Sequence, residues 1–116
     1  MAARYVPARG DLVWLQLDPR AGHEQGGRRP ALIVSPQIYN SRVGLALCCP
    51  VTSQVKGYPF EVALSASSRL SGVVLADQLK SLDWNARQAR RIESVSPDVL
   101  EEVLAKILTL LEGSGP

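Results

Sequence analysis

Residues 11–34 read DLVWLQLDPRAGHEQGGRRPALIV. Two apolar runs, Leu12–Leu15 and Ala31–Val34, flank a polar stretch that carries the chain's single histidine, a carboxylate, an amide and two adjacent arginines. Short apolar runs bounded by glycine and proline are the pattern of strands. Further short segments rich in Val and Leu recur at 43–51, 60–64 and 72–79, with a weaker one at 91–95. Gly10, Pro19, Gly44, Gly57, Pro59 and Gly72 punctuate them. Strands at this spacing predict a small barrel or sandwich instead of alternating βαβ units. Ser35–Asn40 predicts one helical turn, with Ser35 as cap and Pro36 at the first helical position.

The end of the chain follows a different period. Leu100, Val103, Leu104, Ile107, Leu108 and Leu111 recur every three or four residues. Ser96 stands at the cap, Pro97 at the first turn and Gly113 at the stop, so a helix over 97–112 is predicted, with one stripe buried as a lid on the barrel. At 116 residues the chain is expected to be one domain, residues 1–116, with the barrel over about 8–95 and the helix over about 97–112.

Composition narrows the function classes. Hydrophobic residues make up 46% and charged residues 21%, and no apolar run approaches the length of a membrane span. No apolar segment follows Met1–Tyr5 as in a signal peptide, and only two cysteines are present, so the expected compartment is the cytoplasm. Cys48 and Cys49 are adjacent and, on a strand, point to opposite faces; no ligand-spaced His or Cys accompanies them, so neither a disulfide nor a metal or other cofactor is expected. The net charge of +2 is unevenly spread. Residues 1–95 hold twelve lysines and arginines against seven acids, whereas 96–116 hold Lys106 against Asp98, Glu101, Glu102 and Glu112. A basic body with an acidic tail is compatible with a nucleic-acid partner.

Three polar clusters are the candidates for chemistry. In the first, the lone His23 is a general-base type of residue without the second histidine that a two-histidine ribonuclease needs. Glu24, beside Gln25, could accept a proton from a sugar hydroxyl. Arg28 and Arg29 begin a strand and so face opposite ways; Arg29, next to the apolar run, is the better placed to present a held guanidinium to phosphate. The second cluster is Thr52, Ser53 and Gln54, followed by Lys56-Gly57-Tyr58-Pro59. A tyrosine kept at the surface by glycine and proline, next to a lysine, has the composition of a single-strand stacking platform. The third is Asp77-Gln78 with Lys80-Ser81, types that read base edges and hold phosphate. Each cluster read alone is equally compatible with ordinary turn and surface chemistry.

Taken together, RGDLVWLQLDP (9–19), GHEQGGRRPALIVSPQIYN (22–40), CCPVTSQVKGYPFEV (48–62) and GVVLADQLKSLDWNARQ (72–88) closely resemble the MazF/PemK family of bacterial toxins, endoribonucleases of toxin–antitoxin pairs. The resemblance runs from about Tyr5 to the C-terminal helix. It implies a mainly β fold, an SH3-like or CcdB-like β-barrel with short helices and a C-terminal α-helix, working as a homodimer. It also implies sequence-specific, metal-independent cleavage of single-stranded RNA. The family motif's arginine falls on Arg29 and its threonine on Thr52, with Glu24 a further matched residue. The loop between the first two strands would cover the RNA groove, where a MazE-like antitoxin with an acidic, disordered tail competes. RNA binding is expected from Gln25, Arg28, Gln54, Lys56, Tyr58, Asp77, Gln78, Lys80 and Ser81, with Asn40 on the base-reading side. This chain has His23 where such loops often carry serine, and Ser53 where a second threonine is common. Two other readings share the fold: a gyrase-binding poison of the CcdB type, and an inactive module that only binds antitoxin or RNA. Glu24, Arg29 and Thr52 together favour the nuclease.

Overall fold

The computed structural model describes residues 4–18, 22–23 and 26–113. Seven strands and two helices follow in the order β1 (Asp11–Gln16), β2 (Arg28–Ile33), α1 (Gln37–Val43), β3 (Ala46–Thr52), β4 (Glu61–Ala63), β5 (Val73–Leu75), β6 (Lys80–Leu82), β7 (Arg90–Ser94) and α2 (Pro97–Glu112). All pairings are antiparallel, and the strand order is β4-β5-β3-β2-β1-β7, with β6 also on β3.

The apolar runs of the opening stretch become β1 and β2, and both faces of these strands are covered. Leu12, Leu32, Cys49 and Val51 enter one core with Val62, Val74 and the helix residues Val99, Val103 and Ile107. Their neighbours Val13, Leu15, Ala31, Ile33 and Cys48 enter a second core on the other face, closed by Trp84. Cys48 and Cys49 therefore lie in different cores as free thiols, and burial pushes both up to about 12. α2 covers the first core as its periodicity predicts, but not along its whole length: Leu108, Leu110 and Leu111 stay exposed, and Leu111 lines a groove with Val34, Leu47 and Leu79.

Three expectations change. The sheet is not a closed barrel. Among the described residues no ladder joins the terminal strands β4 and β7; the gap is crossed by the β4–β5 connection, where Ser68 Oγ–H and the Arg69 N–H both donate to the Glu93 carboxylate of β7. Those donors hold the Glu93 carboxyl below the usual carboxylate range. Second, the apolar run 72–79 holds only the short strand β5. It breaks after Leu75, where the Gln78 N–H turns back onto the Leu75 carbonyl, and β6 starts at Lys80.

The third correction concerns Asn40, which cannot read a base because it is fully buried. Its Nδ2 donates to the Pro7 carbonyl at 2.8 Å and the Ser35 carbonyl at 3.1 Å, and its Oδ1 accepts from the Ser35 hydroxyl. Ser35 is thus turned inward, accepting the Leu47 N–H as well, and Pro36 takes the N-cap place of α1. The Asn40 carbonyl accepts Trp84 Nε1–H at 2.9 Å. One residue thereby joins, through its amide and its carbonyl, the N-terminal segment, the β2–α1 turn and the cover of the second core.

Gly72 does comparable work next to β3. A Cβ there would lie 2.2 Å from the Thr52 carbonyl oxygen, and its φ of 126° is a conformation that side chains rarely adopt. Only glycine lets the chain enter β5 so close to the end of β3.

Replacing Asn40 with alanine leaves buried Pro7 and Ser35 groups without a partner and is expected to cost about 2–3 kcal/mol. Urea unfolding should show this as a lower midpoint. Gly72→Ala is expected to cost about 1–3 kcal/mol or more from strain and overlap. It should also lower any activity that depends on Thr52, by displacing that residue's backbone.

Candidate functional site

Arg29 is fixed by the strand on which it lies. It pairs with Leu15 of β1, is half-buried, and donates from Nε to the Gly26 carbonyl at 3.0 Å. The β2–β3 register runs Ile33 to Cys48, Leu32 to Cys49 and Ala31 to Pro50. Continued by two residues, it sets Arg29 level with Thr52, on the sheet face that carries Leu15 and Ala31. Arg28 faces the other way, exposed beside Trp14, Arg90 and Arg91. The two adjacent arginines therefore serve different surfaces.

Thr52 ends β3 at the floor of a cleft lined by His23, Gln54, Lys56, Tyr58, Glu61, Leu75, Asp77 and Gln78. It is almost fully buried, and its Oγ1 accepts the Gln54 N–H at 3.1 Å, so the hydroxyl is held at the strand end. The β3–β4 turn rises from there. The Glu61 carboxylate accepts the N–H of Lys56 at 2.9 Å and of Gly57 at 2.7 Å, with Gly57 at a φ of 81°. Sequence reasoning missed Glu61 as a shaping residue, although its place just after the Gly-Tyr-Pro turn was the available signal. Tyr58 O–H donates to Asp77 Oδ1 at 2.6 Å, so the second and third clusters form one wall. Partial burial, and then that carboxylate, raise the Tyr58 phenol above its ordinary value.

His23, from the β1–β2 connection, completes the lining, and the base of that connection is closed by two pairings. Leu17 N–H meets the Gly27 carbonyl at 2.8 Å, and the Gly27 N–H meets Asp18 Oδ1 at 2.7 Å. Arg87 donates to the carbonyls of Gln16 and Asp18 and braces the start of the loop. Gln78 Nε2 reaches the His23 carbonyl at 3.5 Å, across the cleft. Glu24 and Gln25 lie outside the described residues. Lys80 and Ser81 sit on β6 opposite Cys48 and Leu47 and are not among the cleft's lining residues. Arg29 stands beside the cleft, level with its floor, and is not part of its lining.

The cleft thus offers a hydroxyl, amides, a tyrosine, a lysine and an imidazole, with two carboxylates that organise the turn and the tyrosine. Among the described residues no group of three or more His, Cys, Asp or Glu is placed to hold a metal ion, and no helix is long and apolar enough to cross a membrane.

Residues 8–111 match the model of the PemK-like, MazF-like toxins of type II toxin–antitoxin systems. The chain is 51% identical over 111 residues to the endoribonuclease toxin MazF of Escherichia coli strain K12, covering 96% of this chain and 99% of that protein. It is 40% identical to the endoribonuclease PemK of Escherichia coli, over 89% of this chain and 80% of that one. The crystal structure of MazF from Deinococcus radiodurans superposes with a TM-score of 0.91 at 57% identity, covering 94% of this chain and 99% of that chain. A MazE–MazF structure from the same organism superposes with a TM-score of 0.86 at 57% identity, over 96% of this chain and the whole of that one. The open seven-stranded sheet with its C-terminal helix is thus shared with solved MazF structures, and the chain belongs to the PemK-like, MazF-like toxin family of type II toxin–antitoxin systems.

Proposed function

We propose that this chain is the toxin of a type II toxin–antitoxin pair and acts as a sequence-specific, metal-independent endoribonuclease on single-stranded RNA in the cytoplasm. The observation that supports the reading is the β2–β3 ladder, which ends at Ala31 and Pro50 with Arg29 and Thr52 each two residues further on, Thr52 lining a polar cleft. Homology to proteins named as endoribonucleases supports it.

RNA brings its own nucleophile, the 2′-hydroxyl, so the protein needs no covalent step of its own. In-line attack of the 2′-oxygen on the adjacent phosphorus forms the new P–O bond and breaks the bond to the 5′-oxygen. The products carry 2′,3′-cyclic phosphate and 5′-hydroxyl ends. The chain must hold the phosphate, stabilise charge on the pentacovalent phosphorane, and move one proton from the 2′-hydroxyl and one to the leaving oxygen. Thr52 donates to the scissile phosphate from its fixed place at the strand end. Arg29 supplies the preorganised cation for the developing charge and is the candidate donor to the leaving oxygen. Glu24 takes the 2′-hydroxyl proton or holds the Arg29 guanidinium. A charge-stabilising donor of this kind contributes about 10²–10³ in rate.

Binding divides between the walls. Lys56 and Tyr58 hold backbone and base on the turn, and Gln54, Asp77 and Gln78 present acceptors and donors to base edges, which single strands expose. Gln25, Lys80 and Ser81 extend this track, and Arg28 contacts the strand only where it passes over the Trp14 face. The protein works as a homodimer that buries the exposed Leu108, Leu110 and Leu111 and their groove, an apolar surface of the kind that marks association. Its antitoxin is MazE-like, with an acidic disordered tail suited to the basic body.

With EDTA present, Arg29→Ala and Thr52→Ala should each lose about 10²–10³ in the rate of RNA cleavage while still folding. A substrate with 2′-deoxyribose at the cut should resist cleavage. Sequencing the ends cut from long RNA gives the recognised bases. Normal cutting by both variants, or efficient cutting of the deoxy substrate, would overturn the mechanism.

A further inference from the structure

The sequence alone gives little reason to place His23 in the chemistry, because it is a single histidine in a glycine-rich loop. The fold changes its surroundings. His23 lines the same cleft as Thr52, Gln54, Lys56, Tyr58, Asp77 and Gln78. Its backbone is tied across the cleft by the Gln78 amide, and the loop base is closed by the Leu17–Gly27 and Gly27–Asp18 hydrogen bonds. The side chain is exposed, and among the described residues it forms no ion pair, so it is accessible to a ligand in the cleft.

We propose that His23 is a substrate-contacting residue whose imidazolium binds a phosphodiester of RNA in this cleft, so that RNA affinity is linked to proton uptake between pH 5 and 8. The inference rests on the cleft being an RNA site. Histidine is the side chain whose ordinary charge change falls in that window. The ionisable and charged groups around it are Lys56, Tyr58 and Glu61 of the β3–β4 turn and Asp77 after β5. Glu61 is turned onto the Lys56 and Gly57 N–H groups and Asp77 onto Tyr58, so neither carboxylate forms an ion pair with the imidazole. A phosphodiester entering between the walls brings a full negative charge with no such engagement. Among the described residues that line the cleft Lys56 is the other cation, and the same phosphate neutralises both.

The direction of the linkage follows. Bound phosphate favours the charged imidazole, so His23 holds its proton more tightly in the complex than in the free protein. The added affinity is present at the acidic end of the range and is lost towards the alkaline end. If RNA shifts the titration by one pH unit, affinity falls tenfold across the window.

The experiment is fluorescence anisotropy at fixed ionic strength, in EDTA, from pH 5.5 to 8.5. The probe is a labelled single-stranded oligomer containing the mapped cut site, with 2′-deoxyribose at the scissile position. The wild type should weaken about tenfold over this range. His23→Gln and His23→Ser should vary by less than about twofold, and His23→Lys, which stays charged, should bind as tightly at pH 8.5 as at 5.5. A wild-type slope preserved in His23→Gln, or a flat wild-type profile despite binding, overturns the proposal. A wild-type protein that cuts RNA but shows either result leaves the nuclease reading standing. One that neither binds nor cuts RNA at any pH removes that reading instead.

Discussion

The structure depends on β3 being buried along both faces and paired along both edges. Ala46, Cys48, Cys49, Val51 and Thr52 are each at most 5% exposed. One edge carries β2; the other carries β6 on its first half and β5 on its second. A strand so enclosed has no freedom of register, because a shift by one residue would exchange its two sets of side chains between the two cores. Cys48 and Cys49 show the constraint in its simplest form: neighbours in the chain, they belong to different cores. The strand that has least freedom also ends in Thr52, so the hydroxyl of the cleft floor inherits the precision of the core.

That coupling explains why the sheet can stay open without blurring the site. β4 and β5 are three residues each and meet β7 through Glu93 and two donors from the connection, not through a ladder. A carboxylate bridging a loop to an edge strand also removes part of the exposed edge that would otherwise invite pairing with another chain. The looseness is kept on the side away from the β2–β3 register. Gly72 is the point where the two requirements meet. The chain must come within contact of the Thr52 carbonyl to start β5, and only the missing Cβ permits it.

The sequence disclosed the parts of this arrangement that follow from period and polarity. β1, β2 and the buried face of α2 follow from runs and spacing, and the opposite orientation of Arg28 and Arg29 follows from pleating alone. What it did not disclose depends on tertiary partners. Val73-Val74-Leu75-Ala76 reads as one strand with Leu79, yet the break after Leu75 is set by hydrogen bonds to Phe60 and from Gln78. Asn40 looks like an exposed polar residue ending a helical turn, but Pro7, Ser35 and Trp84 meet at its amide and carbonyl. Those partners are between 5 and 44 residues away in the chain. His23 was similarly opaque, since only the closed loop base and Gln78 show which side of the cleft it occupies.

The composition of the cleft carries one more consequence. A site for a polyanion would be expected to exclude carboxylates, but Glu61 and Asp77 both line this one. Each is engaged in shaping a wall: Glu61 gathers two backbone N–H groups of the turn, and Asp77 fixes the Tyr58 hydroxyl. Both carboxylates are thus engaged within the protein: they set the shape of the turn and the position of the tyrosine ring on one wall, so the negative charge of the cleft is held in place by the fold.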